Sequence, residues 1–231
     1  SVPNNFFLTR WYEVLNRFLF GSPSVIISPS KFLMNFYAAR GFFKQSRQII
    51  LPNPVDRVID APHQFSADPN VCRFVYLGQI EEHKGVLLLI KTFRALVEER
   101  TLNSQDIKNR NQWHLTIVGS GSKSPQAQAL AENCKQIFMR GRVDRNELSS
   151  ILTAADVVIV PSLCYENSPT VIFESFAFGV PVLASAIEGV EELIQDGKNG
   201  LTFKAGNPEE LALGLKWFAE NKRAWRDMSA A

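Results

Sequence analysis

Between residues 71 and 222, short apolar runs alternate with longer helical patterns, and this alternation constrains the fold more than any other feature. The apolar runs are "CRFVYLG" (72 to 78), "HLTIVGSG" (114 to 121), "DVVIVPS" (156 to 162) and "PVLAS" (181 to 185), among others. They lack the polar–apolar alternation of strands in a sheet with one solvent-exposed face. Helical patterns separate them, such as "KGVLLLIKTFRALVEER" (84 to 100) and a predicted helix over about residues 126–136. Strands that are apolar on both faces belong in a parallel sheet covered by helices on both sides. The predicted fold class is therefore α/β.

The first fifty residues repeat this pattern on a smaller scale. "SVIIS" (24 to 28) and "RQIILP" (47 to 52) are predicted strands, and "KFLMNFYAARG" (31 to 41) is a predicted helix that ends at Gly41. Ahead of them, "FFLTRWYEVLNRFLF" (6 to 20) predicts an aromatic helix that lies in a membrane interface or packs on protein outside this chain. Residues 52–70 contain four prolines and no periodicity, which indicates a linker.

Composition excludes several classes of protein. The 25 Lys and Arg residues nearly balance the 23 Asp and Glu residues, without the basic patch of a nucleic-acid-binding protein. No apolar run approaches the ~20 residues that cross a bilayer. The three cysteines are widely spaced and odd in number, which favours a reducing, cytoplasmic compartment. The chain opens without Met, and we expect it to be a piece of a longer protein.

Two glutamates on an apolar segment are the first candidate for a functional site. In "YENSPTVIFESFAFGVPVLAS" (165 to 185), Ser168 is a predicted N-cap and Pro169 a predicted first helical residue. Glu166 then lies in the preceding loop and Glu174 in the second turn of the helix, so we expect both carboxylates to face one cleft. Two solvated glutamates are the plain alternative, but aromatic and aliphatic neighbours leave Glu174 little polar surface.

The start of this predicted helix is also a candidate anion site. Its first N–H groups, those of Thr170, Val171 and Ile172, lack acceptors within the helix and lie at the positive end of the helix dipole. Carboxylates beside bound phosphate are unfavourable unless they bind hydroxyl groups. Sugars and riboses supply such hydroxyls on either side of a diphosphate, so the segment predicts a ligand of that kind.

Three further segments end predicted strands, where parallel sheets bind ligands. "LGQIEEHKG" (77 to 85) carries Gly78 and Gln79 and presents Lys84 either to the phosphate or to solvent. "VGSGSKS" (118 to 124) fits neither common phosphate-loop motif, so Gly119 either lines a ligand or makes a tight turn. "RGRV" (140 to 143) offers Arg142 and Val143 to a base or a phosphate, or is a simple turn. The three histidines lack metal-ligand spacing, and no paired acidic motif is present, so no metal site is predicted.

Together these residues resemble a known family. "ENSPTVIFE" (166 to 174) matches the E-x7-E element of group 1 (family four) retaining glycosyltransferases of the GT-B fold. The similarity continues through "LGQIEEHKG", "ADVVIVPS", "AFGVPVLAS" and "DGKNGLTF". It implies a Rossmann-like donor-binding domain at residues 71–231, a linker at residues 52–70 and, at residues 1–51, the remnant of an N-terminal acceptor domain.

The resemblance implies transfer of a sugar from a UDP-, GDP- or ADP-sugar to a glycan, lipid-linked or small-molecule acceptor, with retention and without a required cofactor or metal. It implies that Glu166 holds the donor sugar, that Lys84 neutralises the diphosphate, and that Glu174 binds the ribose. The other implied nucleotide-binding residues are Gly78, Gln79, Gly119, Arg142, Val143, Ser168, Pro169, Thr170 and Val171. With most of the acceptor domain missing, we expect donor binding with little turnover, and peripheral membrane association through the N-terminal half.

Two departures from the family pattern leave alternatives open. Gln79 stands where the family usually has arginine, so Lys84 acts alone unless Arg142 or Lys123 compensates. In "IEGVEEL" (187 to 193), Glu188 replaces a glycine of the family's "GG-x-P-E" stretch, and we expect its carboxylate to point outward. A nucleotide-sugar epimerase of the same architecture and a non-catalytic binding module are the two alternatives to a transferase.

Overall fold

The computed structural model describes residues 6–21, 23–55, 68, 70–103, 112–222 and 224–225. It divides the chain into two compact units, Ser1–Asn53 and Pro54–Ala231. Most of the segment predicted to be a linker, residues 56–67 and 69, lies outside the described residues. The three-part division of the chain stays a prediction.

The first unit contains a parallel strand pair joined by a helix. Its elements are α1 (Phe6–Phe20), β1 (Val25–Ser28), α2 (Lys31–Ala39) and β2 (Arg47–Ile50). β1 and β2 pair in parallel, and the Oγ atom of Ser30 caps α2 by accepting a hydrogen bond from the N–H of Leu33 at 3.1 Å. The strands and helices predicted here are confirmed.

The second unit is built on a parallel sheet. Its elements are β3 (Val71–Leu77), a 3-10 turn (Glu82–Lys84), α3 (Val86–Asn103), β4 (Gln112–Val118), α4 (Ser124–Ala131), β5 (Ile137–Gly141), α5 (Arg145–Ala154), β6 (Val157–Val160), α6 (Thr170–Ala177), β7 (Val182–Ala186), β8 (Gly200–Lys204) and α7 (Pro208–Glu220). Among the described residues the strand order is β5-β4-β3-β6-β7-β8, and every pair is parallel.

Both faces of this sheet are buried, which explains why its strands are apolar throughout. Phe74 and Ile159 belong to a core shared with α3 and α7, whereas their neighbours Val75 and Val158 belong to a second core with α5 and α6. Adjacent residues of a strand point to opposite faces, so each face needs its own apolar set. The predicted α/β fold with a covered parallel sheet is confirmed.

The order of the strands reverses between β3 and β6. The chain runs outward from β3 through β4 to β5, then returns to β6 on the other side of β3. Open α/β sheets bind ligands in the crevice that forms at such a reversal, beyond the carboxyl ends of the strands.

One predicted helix is shorter than expected. The pattern predicted a helix over residues 126–136, but α4 spans Ser124–Ala131. Asn133 adopts a left-handed conformation with φ of 63°, which a continuing helix cannot contain.

Candidate functional site

The loop that follows β3 brings Lys84 against the end of β6. Gly85 has φ of +70°, and a Cβ atom placed there would lie 1.8 Å from the carbonyl oxygen of Pro161. Only glycine permits this approach of two backbones. The N–H of Leu163 also donates a hydrogen bond of 2.8 Å to the carbonyl of His83. These contacts hold the loops after β3 and β6 side by side.

Lys84 and Glu166 form an ion pair at this point. The Nζ atom of Lys84 lies 2.6 Å from Oε1 of Glu166, and the side chains are only 26% and 12% exposed. The hydroxyl of Ser162 donates to the same Oε1 atom at 2.7 Å. The sequence pattern indicated both charged residues but not Ser162, whose only signal was its place near the end of an apolar strand.

A cavity of about 330 Å³ opens beside this ion pair at the reversal point of the sheet. Seven residues named from the sequence line it: Gly78, Gln79, Lys84, Glu166, Pro169, Thr170 and Val171. Tyr76 and Ser162 also line it and were not anticipated. We call it the first cavity.

The helix beside the first cavity begins later than the sequence indicated. α6 starts at Thr170, and Pro169, which is extended with ψ of 112°, occupies the cap position in place of Ser168. The N–H of Ile172 donates to the carbonyl of Pro169 at 3.1 Å, so this group is already used. Of the three N–H groups expected to bind an anion, those of Thr170 and Val171 remain at the cavity wall. Ser168 is buried and lines neither this cavity nor a second cavity beside it.

A second cavity of about 320 Å³ lies at the carboxyl ends of β3, β4 and β5. Six residues named from the sequence line it: Gly78, Gln79, Gly119, Arg142, Val143 and Glu174. The two cavities share Leu77, Gly78 and Gln79 as a common wall. Glu166 and Glu174 were expected in one cleft; Glu166 lines the first cavity and Glu174 the second, and the two cavities adjoin at this wall.

Each cavity contains one side chain whose pKa is raised by burial. Partial burial raises the pKa of the Glu174 carboxyl, and Arg145 opposes that shift. Burial also raises the pKa of the Tyr76 phenol, with a smaller contribution from the negative charge of Glu166. Tyr76 therefore stays neutral and donates a hydrogen bond of 2.7 Å to the carbonyl of Gln79, which fixes the wall between the cavities.

Lys123 and Arg142 are the two candidate substitutes for the arginine that the family usually has at the position of Gln79. Lys123 lines neither cavity and pairs with Glu82, its Nζ atom 3.2 Å from Oε2. Arg142 lines the second cavity, where its Nε atom donates to the hydroxyl of Ser120 at 3.0 Å. Glu188 is exposed, as expected for a carboxylate that points outward.

Within the described ranges, no group of three or more His, Cys, Asp or Glu side chains is arranged to hold a metal ion. His63 lies outside those ranges. None of the helices in the described part of the chain is long and apolar enough to cross a membrane.

A doubly wound α/β domain with adjoining cavities at its reversal point defines the Rossmann-like class of protein. The family described as "Glycosyl transferases group 1" matches residues 59–231. The chain is 31% identical over 196 residues to the lipopolysaccharide 1,2-N-acetylglucosaminetransferase of Salmonella typhimurium, an alignment that covers 76% of this chain and 47% of that protein. The chain belongs to the group 1 glycosyltransferase family.

Other relatives and solved structures agree with this membership. The phosphatidyl-myo-inositol mannosyltransferase of Mycobacterium leprae is 29% identical over 174 residues, covering 74% of this chain and 44% of that protein. Anabaena HepE, solved with UDP and glucose, superposes with a TM-score of 0.71 at 18% identity over 90% of this chain and 56% of that chain. The lipopolysaccharide outer core galactosyltransferase WaaB superposes with a TM-score of 0.67 at 19% identity, over 86% of this chain and 54% of that chain. These structural likenesses establish the GT-B relationship of the fold, and the chain spans about half the length of the relatives it matches.

Proposed function

We propose that this chain is the donor-binding half of a retaining glycosyltransferase, which moves a sugar from a nucleotide-sugar to an acceptor. The observation that carries the proposal is the Lys84–Glu166 ion pair, which places a cation and a hydroxyl-binding carboxylate in one cavity at the start of α6. Glu174 supplies a second carboxylate in the adjoining cavity.

The diphosphate of the donor would lie in the first cavity. The N–H groups of Thr170 and Val171 stand at the positive end of the α6 dipole, and Lys84 adds a full charge beside them. An ammonium group has three donors, so the pairing with Glu166 leaves donors for phosphate oxygens. Glu166 would bind hydroxyls of the sugar.

The nucleoside would occupy the second cavity. A carboxylate accepts hydrogen bonds from both hydroxyls of a ribose, which is the role proposed for Glu174. Gly119, Arg142 and Val143 would contact the base or the phosphate next to the ribose. Each cavity falls within the ~300–1,000 Å³ range of small-molecule sites.

In the proposed reaction, the bond between the anomeric carbon and the diphosphate oxygen breaks, and its electron pair stays on the diphosphate. Lys84 and the start of α6 stabilise the charge that develops there. The sugar passes through an oxocarbenium-like state, and the acceptor hydroxyl bonds to the anomeric carbon from the face that the diphosphate leaves. Its proton passes to the departing diphosphate, and the anomeric configuration is retained.

Relatives and neighbours support the class of ligand. HepE is described in complex with UDP-glucose, and TarM in complex with UDP and a glycosylated glycerol. Transferase names among the relatives fit a glycan, lipid-linked or small-molecule acceptor and do not favour the epimerase alternative. We take a UDP-, GDP- or ADP-sugar as the donor and no other cofactor as required.

Peripheral membrane association through the N-terminal half is part of the same proposal. Trp11, Phe18 and Phe20 of α1 are 74%, 82% and 65% exposed, and Arg10 is exposed beside them. Exposed aromatic residues together with arginine suit an interfacial helix. Co-sedimentation with vesicles of phosphatidylglycerol tests this part, and loss of binding in Trp11→Ser with Phe18→Ser is the expected result.

Thermal unfolding of this chain with millimolar UDP, GDP or ADP tests donor binding. A nucleotide at 100 times its Kd stabilises the folded state by about 2.7 kcal/mol, and the unfolding midpoint rises accordingly. Lys84→Ala and Glu174→Ala are expected to remove most of that rise. Lys91→Ala and Glu191→Ala, which change exposed residues that line neither cavity, are the matched controls. An unchanged midpoint with all three nucleotides contradicts the proposal.

A further inference from the structure

The hydroxyl of Ser162 and the ammonium of Lys84 converge on a single oxygen of Glu166. Ser162 is 2% exposed and lies two residues after β6, so the end of a buried strand fixes its position. Its hydroxyl donates across the short loop at 2.7 Å to Oε1, to which Lys84 also donates at 2.6 Å. Two donors fill the hydrogen-bonding capacity of this oxygen.

The other carboxylate oxygen of Glu166 remains available. Among the contacts of the described residues, no hydrogen bond or ion pair involves Oε2. Glu166 lines the first cavity, so an acceptor atom is held in place there before any ligand arrives.

The backbone of Glu166 is fixed by a second contact. Gly189 has φ of +83°, and a Cβ atom placed there would lie 1.7 Å from the carbonyl oxygen of Glu166. The turn that contains Gly189 is thus packed directly on the peptide group of Glu166. The side-chain contact with Ser162 completes a support that is independent of Lys84.

We propose that Ser162 is a positioning residue that holds Oε1 of Glu166 and thereby directs Oε2 toward the hydroxyls of the donor sugar. The inference rests on the proposed function, because it assigns the first cavity to a nucleotide-sugar. Lys84 has a flexible four-carbon side chain with a point charge, which a bound diphosphate attracts away from Glu166. Ser162 is neutral and buried at the end of a strand, so its hydrogen bond to Glu166 remains when Lys84 binds the phosphates.

This role predicts a selective effect on ligands that carry the sugar. In Ser162→Ala, Glu166 loses the contact that orients it, while the groups proposed to bind the diphosphate stay in place. Affinity for a nucleoside diphosphate is expected to change by less than about twofold, whereas affinity for the nucleotide-sugar is expected to fall about 10-fold, the size of one lost hydrogen bond to a charged group.

Isothermal titration of this chain with UDP, GDP and ADP, and with UDP-glucose, UDP-N-acetylglucosamine, GDP-mannose and ADP-glucose, measures both quantities. Ser162→Thr keeps the hydroxyl and is expected to keep most of the affinity for the nucleotide-sugar. Ser185→Ala removes a buried hydroxyl that lines neither cavity and serves as the matched control. Nucleotide affinity also reports whether each variant is folded.

Each outcome separates this inference from the proposed function. Equal losses for nucleotide and nucleotide-sugar in Ser162→Ala would show a merely structural role, and no loss for either would show no role; both overturn the inference alone. A wild-type chain that binds nucleotides but gains nothing from any of the sugars also overturns it. A wild-type chain that binds none of these ligands overturns the proposed function and the inference together.

Discussion

Lys84 and Glu166 are 82 positions apart in the sequence, and their side chains meet at 2.6 Å where the parallel sheet reverses its strand order. Each belongs to a different strand-end loop, after β3 and after β6 respectively. Their pairing neutralises the cation proposed to bind the diphosphate. A ligand with a diphosphate group must therefore compete with Glu166 for Lys84.

This competition predicts an unusual effect of removing Glu166. Glu166→Ala frees Lys84 and removes a negative charge beside the phosphates, so affinity for UDP without a sugar is expected to rise about 3- to 5-fold, the range of a partly exposed ion pair. Affinity for the matching nucleotide-sugar is expected to fall, because the sugar loses its acceptor. Titration of both ligands against wild type and against Glu191→Ala checks this. Weaker binding of UDP in Glu166→Ala would mean that Glu166 does not compete for Lys84.

The sequence was sufficient to select both residues of this pair but not to predict their contact or all of its surroundings. A parallel sheet places the carboxyl ends of all its strands at one edge, so residues that follow predicted strands can be expected near one another. This reasoning placed Lys84, Glu166 and Glu174 in one predicted site. Ser162 was missed because a side-chain contact inside an irregular loop leaves no periodic signal. The start of α6 was misplaced by one residue because Pro169 serves as well at a cap as in a first turn.

The placement of the two glutamates also required the structure. Glu166 lines the first cavity and Glu174 the second, and the two cavities share the wall of Leu77, Gly78 and Gln79. The hydrogen bond from Tyr76 to the Gln79 carbonyl fixes this wall, and it joins atoms whose contact no sequence pattern indicates.

Gln79 lines both cavities, so a cation introduced there would lie close to both proposed phosphate contacts. Gln79→Arg is expected to raise the affinity for nucleoside diphosphates about 10-fold, since a charge-assisted hydrogen bond contributes about 1.5–3 kcal/mol. The gain in affinity should shrink as salt is raised from 0.05 to 0.5 M, because salt screens the added charge. The Debye length is about 10 Å at 0.1 M and changes severalfold over this range. Gln126→Arg adds the same charge at an exposed position of α4 that lines neither cavity. An equal gain in both variants would indicate nonspecific attraction instead of a phosphate contact at residue 79.

Glu174 should make stability depend on pH in a defined direction. Its pKa is raised in the folded protein by burial, so the folded state binds a proton more tightly than the unfolded state. The stabilisation from this proton is complete below the ordinary carboxyl pKa of 4.5 and is lost as pH rises through the folded-state value. Urea unfolding of Glu174→Gln should therefore show a smaller decline in the free energy of unfolding over that interval than wild type. Identical pH profiles for the two proteins would contradict the burial of this carboxyl.

The same residue should distinguish ribose from deoxyribose. If Glu174 accepts hydrogen bonds from ribose hydroxyls, wild type binds UDP about 10-fold more tightly than 2′-deoxy-UDP, because loss of one hydroxyl leaves part of a charged acceptor unpaired. Glu174→Gln is expected to lose most of this discrimination, whereas Glu191→Gln keeps it. Undiminished discrimination in Glu174→Gln would place the ribose elsewhere.

Gly85 permits the close approach that sets Lys84 beside Glu166, and its replacement tests whether that approach matters. Gly85 and Gly197 have nearly the same left-handed φ, +70° and +79°, but a Cβ atom at Gly85 would lie 1.8 Å from the Pro161 carbonyl whereas nothing lies within 4 Å of one at Gly197. Gly197→Ala therefore measures the backbone strain alone, about 1 kcal/mol. Gly85→Ala must also push the loops after β3 and β6 apart, so its free energy of unfolding is expected to fall by about 2 kcal/mol or more beyond that. Because the separation also draws Lys84 away from the start of α6, where the diphosphate is proposed to bind, only Gly85→Ala should also weaken the binding of UDP. Equal destabilisation of the two variants, measured by urea unfolding at pH 7, would mean that the loops adjust freely and that Gly85 does not position Lys84.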